Sequence, residues 1–188
     1  MPEDPTGERD VFGALLQQRI VFVNGALTHE AATHAAAQIM MLNAEGDDAI
    51  HLHLSSPDGD LDAALALADT VELATVPVDA LCRGTLGGPA LAPFLAAERR
   101  VAYPHAVFRL SEPRVVLDGR SEEIAGHADA IHHQLAHLHV RLAEVTGQPF
   151  DKVVDDMRAG LVLTAPQARD YGLVDEVLGR REQGRHRQ

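Results

Sequence analysis

From Ile20 to Val23 β-branched and aromatic residues run together and stop at Asn24-Gly25, a pair suited to positive φ, which predicts a short strand and a turn. Thr28 can cap the helix that follows through an Ala-rich stretch to about Asn43, with Ile39, Met40 and Leu42 apolar and Gly46 ending it. Ala49 to Leu54 predicts a second strand, and the Ser55-Ser56-Pro57-Asp58-Gly59 turn leads into an Ala/Leu-rich helix from Leu61 to Leu73. Val76 to Cys82 predicts a third strand. Gly87-Gly88-Pro89 then opens a helix ending near Ala97, and two short strands follow, Val101 to Tyr103 and Ala106 to Leu110. From Ser121 to about Val145 the positions Ile124, Ile131, Leu135, Leu138, Leu142 and Val145 recur at three, four and seven, one apolar stripe along a long helix. Ser121 with Glu122 and Glu123 gives that helix a favourable acidic first turn. After Gly147-Gln148-Pro149 come a short helix to Arg158, a strand-like Leu161 to Leu163 and a last helix from Pro166 to Tyr171. The order is an α/β alternation.

The chain has 188 residues, the size of one domain with a real core. With 46% hydrophobic and 23% charged residues and no fixed-period repeat, it is globular and neither disordered nor a solenoid. A net charge of -12 disfavours a phosphate-tracking surface, which excludes nucleic acid from the expected partners. The single cysteine, Cys82, sits in an apolar stretch and is expected to fill core space. The first ten residues lack a basic start and an apolar run, and no stretch reaches membrane-spanning length. A cytoplasmic protein without a membrane partner is the expectation.

Three strings narrow the α/β alternation to one family. Leu15 to Gly25 (LLQQRIVFVNG) resembles the opening helix end and first strand of the Clp protease proteolytic subunits, the ClpP family or peptidase S14, and Ser55-Ser56-Pro57-Asp58-Gly59 resembles their Asn-Ser-Pro-Gly-Gly turn. Leu163-Thr164-Ala165-Pro166-Gln167-Ala168, followed by Tyr171-Gly172-Leu173-Val174-Asp175, is similar to their C-terminal signature and is the most specific of these. The resemblance implies a crotonase-related α/β fold, a spiral of β-β-α units with a protruding handle helix. It covers residues 9–178, with a short N-terminal segment at 1–8 and a flexible tail at 179–188. It also implies heptameric rings that stack in pairs as tetradecamers around a closed chamber, with the helix from Ser121 as the handle.

A serine peptidase needs a nucleophilic hydroxyl, an imidazole, a carboxylate to orient the imidazole, and backbone donors for the oxyanion. By the resemblance, the serine position is Gly88, the histidine position is Ser111 and the aspartate position is Gly160. None can perform its role. One oxyanion donor is the backbone N–H of the residue after the nucleophile, which here is Pro89 and has none. The other comes from the turn holding Asp58 and Gly59 and is expected to survive. Pro89 equally suits the first position of a helix.

The resemblance also assigns an apolar, aromatic-lined pocket that receives a hexameric AAA+ unfoldase, and its second-strand tyrosines correspond to His51 and His53. Two imidazoles there weaken docking of an apolar loop, because their nitrogens must be hydrated or satisfied. The axial loop is short, and the family's ring-linking Asp-Arg pair is replaced by Arg158-Ala159. Histidines crowd the handle at 127, 132, 133, 137 and 139, a solvated polar face that could also charge together in acid. The His133 and His137 pair has metal-ligand spacing but no third ligand in register, so no metal and no cofactor are expected.

Three functions fit. The first is a non-catalytic ring subunit, alone or mixed with an active paralogue, with a structural or regulatory role in ATP-dependent proteolysis. The second is a serine-type peptidase with relocated residues drawn from Thr85, His105 and Ser111. The third is an acyl-CoA-binding protein of crotonase type, which Pro89 disfavours because that chemistry also uses paired backbone donors.

Overall fold

The computed structural model describes residues 11–113 and 121–179, and the side chains of 126–179 within the second stretch. The N-terminal segment at 1–8, the acidic turn of Ser121, Glu122 and Glu123, the side chain of Ile124 and the tail beyond Gly179 lie outside the described part.

The elements run α1 (Val11–Leu16), β1 (Ile20–Asn24), α2 (His29–Glu45), β2 (Ile50–Ser56), α3 (Leu61–Glu72), β3 (Val78–Gly87), α4 (Leu91–Ala96), β4 (Arg99–Ala102), β5 (Val107–Arg109), α5 (Ser121–Thr146), α6 (Phe150–Ala159), β6 (Val162–Thr164), α7 (Ala165–Tyr171) and β7 (Glu176–Val177). A single 3-10 turn, Gly88–Ala90, joins β3 to α4. The sheet is ordered β1-β2-β3-β4-β7, with β5 also on β3 and β6 on β5. Every pair is parallel except β5 with β6. This is the mixed α/β, parallel-sheet architecture that the resemblance implies.

The strand alternation decides which face the helices cover. Val21 and Val23 of β1, Ile50, Leu52 and Leu54 of β2, and Val78, Ala80 and Cys82 of β3 are buried beneath α2, α3 and α4. Helices α2 and α3 lie close because Ala32, Ala35, Ala63, Ala64 and Ala68 are on their buried faces. Each fully buried Leu or Phe here contributes about 2 kcal/mol through the apolar area it removes from water. Cys82 is such a filler, and burial pushes its thiol up to about 12. Parallel sheets are ordinarily covered on both faces. The second face of this one instead holds the half-exposed Ile20, Phe22 and Leu81 together with His51, His53, Asp79 and Arg83.

Caps set the helix limits. Thr28 accepts from the Ala31 N–H at 3.2 Å, as its position predicts. Helix α6 ends at Gly160 with φ of 70° and α7 at Gly172 with φ of 95°. The Tyr171 hydroxyl donates to Asp156 Oδ2 at 2.8 Å, clasping α7 to α6, and Lys152 both pairs with Asp156 and lies over the Tyr171 ring. Burial and that hydrogen bond raise the Tyr171 pKa.

Helix α5 buries the C-terminal part of its stripe, Leu138 and Leu142, in the core, while Ile131 and Leu135 pack against it half-exposed. The stripe therefore packs on its own domain over that length. One histidine breaks from the expected solvated face: His127, His132, His133 and His137 are exposed, but His139 is buried. Its position four residues after Leu135 and three before Leu142 puts it on the packed side.

Candidate functional site

The turn between β2 and α3 is drawn against the strand ends by its backbone. Ser56 Oγ donates to the Asp58 carbonyl at 2.8 Å, and the Leu27 N–H donates to the same oxygen at 3.0 Å. Gly59 forms a parallel bridge with Leu27, where a Cβ would stand 2.7 Å from Leu27 Cβ. Only glycine permits that approach.

Strand β3 continues through Gly87 and delivers Gly88 to the same place. A Cβ built on Gly88 would lie 3.1 Å from Asp58 Oδ1 and 3.6 Å from Ser111 Oγ. The antiparallel pairing of β5 with β6 is continued by a 2.8 Å bond from the Leu110 N–H to the Leu161 carbonyl, so Ser111 and Gly160 each lie one residue beyond the last bonded pair. Asp58, Gly59, Gly88, Pro89, Ser111 and Gly160 thus converge at one end of the sheet. Gly88 has φ of 54° and Gly160 has φ of 70°, so side chains at either position carry left-handed strain.

One expectation changes. The Gly59 N–H, half of the turn expected to keep an oxyanion donor, is occupied by Asp58 Oδ1 at 2.8 Å. A carboxylate that faces Gly88 and takes this N–H opposes a developing negative charge there. Residue composition leaves a hydroxyl, a carboxylate and two glycines, without an imidazole to accept the hydroxyl proton.

The relocated set is spread along β5. His105 is exposed in the Tyr103–Ala106 turn before β5, whereas Ser111 follows β5. They stand on opposite sides of β5, Val107–Arg109. Thr85 is level with Val107, at the His105 end. Among the described residues, no hydrogen bond joins any two of the three.

On the open sheet face, the His53 ring meets Phe22 edge-on at 4.9 Å, Phe22 meets Phe12 at 6.2 Å, and the Arg83 guanidinium lies 4.4 Å over the Phe22 ring. His51 Nδ1 is 3.8 Å from Asp79 Oδ2. Burial, then the Arg83 and His51 charges, lower the His53 pKa from 6.5 to about 4. Because the folded value lies below the unfolded one, this site's contribution is present in full above about pH 6.5 and is lost as pH falls through about 4. The His53 C2-proton resonance is therefore expected to titrate near pH 4, and His53→Phe to reduce the drop in urea midpoint between pH 7 and pH 4.5. A midpoint near 6.5 in the resonance would contradict this.

No group of three or more His, Cys, Asp or Glu among the described residues could hold a metal ion, and His133 and His137 are both exposed. No described helix is long and apolar enough to cross a membrane.

The parallel sheet, with a cluster gathered where the β2 turn, the end of β3 and the β5–β6 pair meet, defines an α/β protein with a candidate site at its strand ends. The Clp protease family model matches residues 5–181, and the chain belongs to that family.

Proposed function

We propose that this chain is a non-catalytic Clp protease family member that enters ring assemblies, by itself or with an active paralogue, and serves ATP-dependent proteolysis structurally or as a regulator. The carrying observation is the Asp58 carboxylate, which takes the Gly59 N–H and stands 3.1 Å from a Cβ placed on Gly88. Pro89 removes the N–H next to it, so both sides of an oxyanion site are spoiled independently of any missing side chain. The lack of any hydrogen bond from the Thr85 or Ser111 hydroxyl to His105 among the described residues argues against a relocated serine peptidase. Pro89 likewise argues against acyl-thioester chemistry.

Ring membership explains why a parallel sheet leaves one face without helices, since a neighbouring subunit can complete the cover. That face also holds the positions proposed to receive an unfoldase, His51 and His53. The stacked Arg83 and the His51 and Asp79 pair make it polar, and an apolar docking loop binds it less well than it would bind tyrosines.

Co-expression with an active family member, followed by native mass spectrometry, tests the assembly claim. Rings containing this chain, alone or in fixed ratio with the paralogue, are expected. A chain that stays monomeric both alone and with the paralogue contradicts the proposal.

A further inference from the structure

The open face of the sheet carries one unanswered charge. Its side chains stand in rows across the strands: Phe22 of β1 is level with His53 of β2, His53 is level with Leu81 of β3, and Arg83 follows two residues further along β3 on the same face. From there Arg83 reaches across β2 and lays its guanidinium 4.4 Å over the Phe22 ring. The other charged groups of these rows are answered. Asp79 has His51 at 3.8 Å, and Arg99, level with Asp79, is paired with Glu176. Arg83 has neither an ion pair nor a hydrogen bond among the described residues.

Contact with the ring holds the guanidinium in place and leaves part of it free. Its Nε is sealed from solvent without a partner, while the two terminal nitrogens, equally unpartnered, keep accessible surface. A carboxylate is the group that fits such a fork, by two parallel charge-assisted hydrogen bonds. His53 adds no competing charge near pH 7, because burial, and then Arg83 itself, lowers its pKa to about 4. The surroundings are apolar. Phe12 is 70% exposed and meets Phe22 edge-on at 6.2 Å, and Leu81 is half-exposed beside His53.

We propose that this face docks a partner protein through a loop that carries a carboxylate flanked by apolar side chains, the carboxylate on Arg83 and the apolar groups on Phe12, Phe22 and Leu81. A wholly apolar loop leaves the guanidinium unpaired and stripped of water, so the same residue that attracts an acidic loop repels an apolar one. The inference rests on reading this face as a docking surface, but every residue it uses belongs to one chain, so it does not require a ring.

Fluorescence anisotropy of the purified full-length protein with the labelled peptide Gly-Phe-Asp-Leu-Gly, and with counterparts carrying Asn or Leu in place of Asp, tests it. The acidic peptide is expected to bind at least about tenfold more tightly than either neutral one. Raising NaCl to about 0.5 M removes most of that advantage and leaves the Leu peptide unaffected. Arg83→Met abolishes the preference and strengthens binding of the Leu peptide. Arg83 is half-buried, so unchanged melting checks the fold of the variant, and the salt dependence of the unaltered protein decides the matter should the variant melt early. Equal binding of the three peptides, a preference for the Leu peptide, or no saturable binding of the acidic one up to about 1 mM overturns the proposal. Self-association that Arg83→Met removes, without peptide binding, assigns the face to a second copy and overturns it as well. Native mass spectrometry of the same preparation reports ring formation separately, so a failure here with rings present leaves the ring reading standing.

Discussion

Gly88→Ser, Ser111→His and Gly160→Asp together are expected to leave the chain without measurable peptide hydrolysis, although they supply a complete triad at the positions implied by family resemblance. Two residues outside the triad block it. Pro89 lacks the N–H that would face the oxyanion, and the loss of one such donor lowers rates by about 10²–10³. Asp58 consumes the Gly59 N–H and crowds the new serine, whose Cβ would be 3.1 Å from Oδ1. Adding Asp58→Gly and Pro89→Ala removes both obstacles, and the five-substitution variant is expected to exceed the triad variant by at least about 10³ in peptide hydrolysis. Rates within tenfold of each other would show that the oxyanion geometry is not the barrier. Intact folding of each variant is checked by thermal melting, since Gly88 and Gly160 both have positive φ.

The largest single-residue stability effect is expected at Gly172→Ala. The methyl would meet the Thr146 carbonyl oxygen at 2.5 Å and Thr146 Cα at 3.0 Å, at a backbone φ of 95°. Backbone resists displacement where a flexible side chain would not. Left-handed strain of about 1–2 kcal/mol and overpacking of about 1–3 kcal/mol act together. A loss of about 2–5 kcal/mol follows, lowering Tm by roughly 5–15 °C in a domain of this size. Gly160→Ala has the same φ class, but nothing lies within 4 Å of its added methyl. Its loss should be the smaller by differential scanning fluorimetry, and equal losses would refute the clash with Thr146.

The contrast at those glycines shows what sequence patterns can and cannot convey. Alternation in Ile50 to Leu54 and the Thr28 cap were legible because each depends on neighbours in the chain. Strand β3 was expected to end at Cys82, because Arg83-Gly84-Thr85 interrupts the apolar run. It continues to Gly87 because the glycines admit tight contacts from elsewhere: a Cβ at Gly84 would stand 2.7 Å from Ser55 Oγ, and one at Gly87 would stand 2.8 Å from the Pro57 carbonyl. Strand β7 has two residues, too few for any period, and is held by Asp175, whose carboxylate accepts from the Arg100 N–H at 2.7 Å. The expected strand Val101 to Tyr103 lies one to two residues earlier, at Arg99–Ala102, whereas Ala106 to Leu110 holds its place one residue shorter at each end, and both pair with β3 rather than with each other.

At the candidate site, the positions Gly88, Ser111 and Gly160 could be chosen by resemblance, and the fold brings them together. The role of the Asp58 side chain was missed, because its position was considered only for a backbone donor. Aspartate before glycine in a turn commonly accepts a local N–H, so the signal was present. His139 was missed for a different reason. Counted as polar, it was grouped with exposed histidines, although its spacing from Leu135 and Leu142 places it on the packed side of α5.

The proposed loss of catalysis is tested most directly by exposing the purified chain to an excess of a fluorophosphonate probe and measuring its intact mass. An active serine hydrolase of the same family serves as the positive control. The mass of this chain is expected to remain unchanged while the control gains one adduct. A single stoichiometric adduct, mapped to one hydroxyl and prevented by prior denaturation, would contradict the account.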